Sequence, residues 1–192
     1  METTLVEPRL LLWTKDEYYK MAEIGFFDGK RVELIGGQVL EMSPMLSGHA
    51  TATMLVAEAL RKAFASRHFL RVQLPLSVSE ISDPEPDVAV IEGTIRDYRD
   101  AHPTTAALVV EVADSSVDYD RTDKASLYAS AGVGDYWVVN LPQRRLEVFR
   151  SPIPDTSQPF GYSHASRTIF AETEQVQPLA AAGVVQIADL LP

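Results

Sequence analysis

The residues best placed to do chemistry are carboxylates in apolar company. The run Ala107-Leu-Val-Val-Glu-Val-Ala113 lacks polar alternation, which marks a central strand covered on both faces. Alternation puts Ala107, Val109, Glu111 and Ala113 on one face and Leu108, Val110 and Val112 on the other, so Glu111 is the only charge on either. An ionised carboxylate in such surroundings is costly unless a cation or strong donors compensate it. Asp87 opens a second apolar strand, Asp87-Val-Ala-Val-Ile91, and shares a face with Ala89 and Ile91. If the two strands are neighbours, the two acids converge, and a hard divalent cation with oxygen ligands is the usual relief of their repulsion. The alternative is structural: Asp87 as a turn residue after Pro86, and Glu111 paired with an arginine.

A cation follows in sequence. Lys124 lies in a helical segment read over Tyr119 to Ala131, and Leu127, Tyr128 and Ala131 fall at +3, +4 and +7 from it. This places Lys124 at the start of the inward stripe, with Asp123, Ser126 and Ser130 outward. Beside the two acids it becomes an ammonium group near an attacking water or a scissile phosphate. On its own it reads as a lysine passing the helix end or pairing with Asp120 at i−4. Glu33, in Arg31-Val-Glu-Leu-Ile35, shares a face with Arg31 and Ile35 and reads alternatively as a solvated edge-strand acid. His49, near the start of a long helix, reads alternatively as a surface or cap residue.

The elements that must carry these groups have their own signals. Thr14 and Glu17 form a capping box that predicts a helix from about Lys15 to Ile24. Gly36-Gly37 between two β-rich runs predicts a hairpin over Arg31–Ile35 and Gln38–Met42. Ala50, Met54, Ala57, Leu60 and Phe64 predict one buried stripe on a helix from Ser47 to about Arg67. Tyr136–Asn140 and Arg145–Phe149 read as strands; Pro152, Pro154 and Pro159 predict a loop over 151–160, then two or three short strands before Gln186 and a last turn ending at Leu191. The order implies an α/β (α+β) architecture, a mixed sheet flanked by helices.

Composition narrows the chemistry. With no cysteine, thiolate metal sites, disulfides and cysteine nucleophiles are excluded, which leaves Mg²⁺ or Mn²⁺ on oxygen ligands as the natural candidates. Lys plus Arg is 17 against 27 for Asp plus Glu, a formal charge of -10 that excludes a basic DNA-coating protein. Its 192 residues, 46% hydrophobic and 23% charged, suit one folded domain, 1–192, with a core over about 13–150 and a β-rich C-terminal extension over about 161–192. The opening METTLVEPRLLLW has no basic start and no secretory pattern, and no apolar run reaches the roughly 18 residues of a membrane span, so a cytoplasmic protein without a membrane partner is expected.

These motifs, in order, resemble a known group. RVELIGGQVLEMSP with Glu33, SGHAT with His49, PEPDVAV, LVVEVADSSVDYDRTDKASLYASAGVGDYWVVN and RRLEVFR are similar to the Uma-type family of restriction-endonuclease-like proteins, a bacterial group in the PD-(D/E)xK nuclease superfamily. The likeness spans about Trp13 to Arg150. It implies a restriction-endonuclease-like sheet core, extended here by C-terminal strands, and a Mg²⁺- or Mn²⁺-dependent phosphodiesterase acting on DNA. Asp87 becomes the aspartate of the PD motif and Glu111 the second metal ligand; Glu33 is a further acid of the site, and His49 matches a histidine common at that place. One departure matters: the lysine expected two residues after Glu111 is Ala113, so Lys124 must stand in from the helix. Asp135 stands where many relatives carry glutamate, a structural difference. A catalytically inactive nuclease-fold scaffold or nucleic-acid-binding module is the competing expectation. A glycosidase using paired carboxylates has nothing distinctive in its favour. Symmetric cutting of two strands would suit a homodimer. Against duplex binding stands the net charge, softened by the local clusters Arg61, Lys62, Arg67, Arg71 and Arg144, Arg145, Arg150.

Overall fold

A computed structural model describes residues 9–64 and 67–192. Part of the opening stretch read for a secretory signal, residues 1–8, and part of the last turn expected of the long helix, residues 65–66, lie outside the described residues. Helix α1 (Lys15–Glu23) begins at the anticipated capping box, with Thr14 and Glu17 satisfying each other's backbone N–H groups. The hairpin β1 (Val32–Ile35) and β2 (Gln38–Glu41) turns through Gly36 and Gly37, whose φ angles of 58° and 75° are the positive values a two-residue turn requires. Helix α2 (Ser47–Ala63) follows.

Among the described residues the main sheet has the strand order β3-β4-β5-β6-β7-β8. Its members are β3 (His68–Val72), β4 (Val88–Glu92), β5 (Leu108–Ala113), β6 (Asp135–Asn140), β7 (Arg145–Pro154) and β8 (Tyr162–Ala171). Only the β5–β6 pair is parallel, and its crossover carries α3 (Val117–Tyr119), a π turn (Asp120–Lys124) and α4 (Ala125–Ser130). A short pair, β9 (Gln175–Val176) and β10 (Val185–Gln186), and a 3₁₀ turn at Ile187–Leu190 close the chain.

The alternation in β5 divides the core as its sequence implies. Leu108, Val110 and Val112 pack with Val56 and Leu60 of α2, while Val109 and Ala113 pack with Tyr128 of α4 and Ala89 and Ile91 of β4. Every residue of β5 is buried.

Several element-level expectations need correction. The buried face of α2 is Ala52, Thr53, Val56, Ala57, Leu60 and Ala63, and Met54 is 65% exposed. Thr53 can take the inward place because its hydroxyl donates to the His49 carbonyl at 3.0 Å and brings no unsatisfied polar atom into the core. The stretch 151–160 is not all loop, since β7 runs through Pro152 to Pro154, paired with His164 and Tyr162 of β8. Pairing with β6 ends at Arg150, so those prolines sit where β7 has a free edge and no ladder bond is lost. Ser126, expected outward, is buried: its hydroxyl donates to the Tyr162 carbonyl and accepts from Phe160 N–H, because β8 folds over α4. The crossover helix is broken in type, with the wider π turn between α3 and α4.

Candidate active site

Glu111 sits in the middle of the sheet at 4% exposure, and β4 pairs beside β5 so that Asp87, just before β4, reaches the same place. The two acids are joined through backbone and side chain. Asp87 Oδ2 accepts from Val112 N–H at 2.8 Å, and Asp87 N–H donates to Glu111 Oε2 at 3.3 Å. His49, entering from the first turn of α2, lies 2.9 Å through Nε2 from Asp87 Oδ1, which also accepts from Gln73 Nε2 at 3.1 Å. Gln73 holds a left-handed backbone (φ 50°), a strained conformation of the kind that gathers at functional sites.

Lys124 arrives from the π turn. Its Nζ donates to Glu111 Oε1 at 2.9 Å and stands 3.3 Å from Glu33 Oε2. The partner of Glu111 is therefore this lysine and not an arginine. Tyr128, one turn further on, donates its hydroxyl to Glu111 Oε1 at 2.7 Å. Glu33 is 1% exposed, which rules out the solvated edge-strand reading, and neither of its oxygens has a hydrogen-bond partner among the described residues. All five residues singled out in sequence, Glu33, His49, Asp87, Glu111 and Lys124, line one cavity of about 730 Å³.

Sequence reasoning missed three contributors. Asp120 lines the cavity at 4% exposure, its Oδ2 accepting from the Ser116 hydroxyl at 2.6 Å. It was visible only as the i−4 neighbour of Lys124, and the π turn is what buries both. Glu85 adds another acid to the wall. Gln73 carries no sequence signal, since its part depends on a backbone angle.

Negative charge in excess governs the electrostatics. Burial raises Glu111 to about 8 against the opposing charge of Lys124, with Asp87, Asp120 and Glu33 adding to the rise. Burial likewise raises Asp120, opposed by Lys124 and by the Ser116 hydrogen bond. Asp87 goes the other way: burial favours its neutral form, but the His49 contact and the Val112 and Gln73 hydrogen bonds together hold it below the usual range. His49 is raised chiefly by its hydrogen bond to Asp87. Burial disfavours the charged form of Lys124, yet Glu111, Glu33 and Asp120 outweigh it and keep the ammonium well above its ordinary value.

This donor set suits a hard cation in kind and in charge. All its acids offer oxygen, four buried carboxylates (Glu33, Asp87, Glu111 and Asp120) line the cavity with one buried lysine, and the Glu33 oxygens have no hydrogen-bond donor among the described residues. Among the described residues, however, no three acids or histidines are already grouped as a ligand set.

The architecture is a six-stranded mixed sheet with helices on both faces and acids gathered at its two central strands. The chain belongs to the Uma2 family, described as "Putative restriction endonuclease", whose family model matches residues 15–182. Its fold is similar to the crystal structure of a "putative nuclease belonging to DUF820" from Anabaena variabilis ATCC 29413, with a TM-score of 0.70 and 14% identity over 92% of this chain and 96% of that one. No curated protein matches the chain. Among the described residues no helix is long and apolar enough to cross a membrane.

Proposed function

We propose that the chain is a metal-dependent endonuclease hydrolysing phosphodiester bonds of DNA. The observation that supports this most is the meeting of Asp87, Glu111 and Lys124 on the floor of one cavity, linked by contacts of 2.9 and 3.3 Å. Family membership supports it independently. Asp87 and Glu111 are the residues that would hold Mg²⁺ or Mn²⁺, and such an ion, when bound, activates water and draws charge from a phosphoryl oxygen.

The remaining work falls to the chain's own groups. Lys124, pinned between Glu111 and Glu33, presents a fixed positive charge where negative charge builds up on the phosphate, in a buried setting that strengthens it. Glu33, 3.3 Å from the ammonium, is a second anionic contact that holds it in place beside its hydrogen bond to Glu111. His49, Gln73 and Val112 N–H fix both oxygens of Asp87, so its orientation is set before substrate arrives. Supercoiled plasmid with Mg²⁺ or Mn²⁺ is the direct test: nicking by the wild type and intact plasmid with Asp87→Ala and Glu111→Ala support the reading, and undiminished nicking by both variants overturns it.

A second reading, a non-catalytic nuclease-fold scaffold or nucleic-acid-binding module, is favoured by one observation. Both oxygens of Asp87 already accept hydrogen bonds from the chain, and among the described residues no ready ligand group exists. Calorimetric titration with Mn²⁺ separates the two. Heat that vanishes in Asp87→Asn supports the enzyme; no heat and an unchanged melting temperature support the scaffold.

A further inference from the structure

The cavity wall is built unlike a duplex-binding groove. Among the described residues seven of its lining side chains are carboxylates, and only Arg31 and Lys124 are fixed cations. Both are engaged already, Lys124 with Glu111 and Glu33, and Arg31 at 3.8 Å from Glu85. Duplex binding depends on many lysine and arginine contacts that follow the phosphates, and this rim offers too few to track a run of them. The reacting groups are also sunk: Asp87, Glu111 and Lys124 are 6%, 4% and 3% exposed. A phosphodiester must leave the surface of a duplex to reach them. A cavity of about 730 Å³ has the size of a small-molecule site, enough for a nucleotide and far too small for a helix.

What the cavity lacks in cations it has in apolar surface at the mouth. Met42, Pro44, Met45 and Leu46 line it from the segment between β2 and α2, and Met45 and Leu46 are exposed. Leu46, Ala50 and Met54 follow at i+4 spacing, so the lip continues as a row along α2, with Met54 exposed at its far end. The stripe expected in sequence to pack inward through Ala50 and Met54 is in part this outward row. Tyr119, the one aromatic ring lining the cavity among the described residues, comes from the helical side. Apolar and aromatic side chains flanking a pocket are how proteins hold an unstacked base, and stacking adds affinity beyond that of phosphate contacts.

Resting on the nuclease reading above, we infer that this cavity takes its nucleic acid as a single strand or an unpaired flap, an unstacked base lying between Tyr119 and the lip of Met45 and Leu46. The test uses the full chain carrying Glu111→Gln, so that substrate stays uncut, with Mn²⁺ and a labelled oligonucleotide followed by fluorescence anisotropy. The free strand and a flapped duplex are expected to bind at least about tenfold more tightly than the blunt duplex of the same sequence. Met45→Ala combined with Leu46→Ala, and separately Tyr119→Ala, should each weaken single-strand binding about tenfold, and the melting temperature holds in the Met45/Leu46 variant, since both residues are exposed. Blunt duplex bound by this variant, or cut by the wild type, as well as single strand overturns this inference and leaves the nuclease reading standing. Sedimentation showing a dimer that dissociates in the Met45/Leu46 variant, with single-strand affinity unchanged, assigns the lip to a second copy of the chain and also overturns it. No binding and no cleavage of any form overturns both.

Discussion

Glu111 and Glu147 lie on one cross-strand row of the same sheet face, with only Val138 between them, and the fold treats them in opposite ways. The separation is two strand spacings, about 10 Å. Both are buried, at 4% and 0% exposure. Around Glu147 stand Arg121, Arg145 and Arg167, with Asn140 donating as well. Burial alone would raise Glu147, but these hydrogen bonds carry it down to about 2. Burial raises Glu111 to about 8, since one lysine must serve several acids there. The π turn supplies both centres, sending Arg121 to Glu147 and turning Asp120 and Lys124 toward Glu111. At Glu147 the fold surrounds a buried carboxylate with guanidinium groups. The charge deficit at Glu111 is therefore a property of that place and not of buried acids in this sheet.

Removing each acid's partnership should break the comparison in different measurements. Glu147→Ala leaves three arginines around an empty centre and is expected to cost about 3–5 kcal/mol in urea unfolding, with cleavage per folded molecule unchanged. A loss under about 1 kcal/mol would reduce the cluster to the standing of surface ion pairs and remove the contrast. Lys124→Met should do the reverse, lowering kcat for cleavage on the order of 10²-fold or more while the chain stays folded. Full activity in that variant takes the lysine out of the chemistry. Mn²⁺ at roughly 100 times its Kd should add about 2.7 kcal/mol to the wild type and to Glu147→Gln, and nothing to Asp87→Asn. An equal gain in Asp87→Asn would move the cation elsewhere.

The two centres were not equally legible. Glu111 was visible because it interrupts a strand apolar on both faces, and Lys124 because it starts a helical stripe. Glu33 and His49 break no pattern, so they stood out only through the resemblance of their motifs. Asp120 was hidden because a period of 3.6 residues cannot show a π turn. Glu147 was overlooked because two of its partners, Arg121 and Arg167, lie 26 and 20 residues away. The continuation of β7 through Pro152 to Pro154 was missed because proline marks a loop and a free sheet edge alike. Met54 was misassigned because Thr53 conceals its hydroxyl against its own helix, which no periodicity reveals.

The pH dependence is the most discriminating test, because the two acids give opposite signs. Glu147 is depressed from 4.5 to about 2, so its contribution is fully present above 4.5 and is lost as pH falls through about 2. Glu111 is raised from 4.5 to about 8. Between those values the unfolded chain has released this proton while the folded chain keeps it, so stability of the metal-free protein must fall as pH rises, by at most about 1.4 kcal/mol per pH unit. His49, also raised in the fold, loses its contribution as pH rises through its folded value and adds to the same decline, so a variant is needed to isolate Glu111. Urea unfolding across this range should show a decline from 4.5 to about 8 that is shallower in Glu111→Gln and retained in Glu147→Gln, and an acid limb that is shallower only in Glu147→Gln. Mn²⁺ should reverse the upper decline in the wild type, because a cation on Glu111 replaces the proton that burial otherwise holds there. An upper limb equally steep in Glu111→Gln would mean that the unneutralised charge resides on another group, and Glu111 and Glu147 would no longer be opposites.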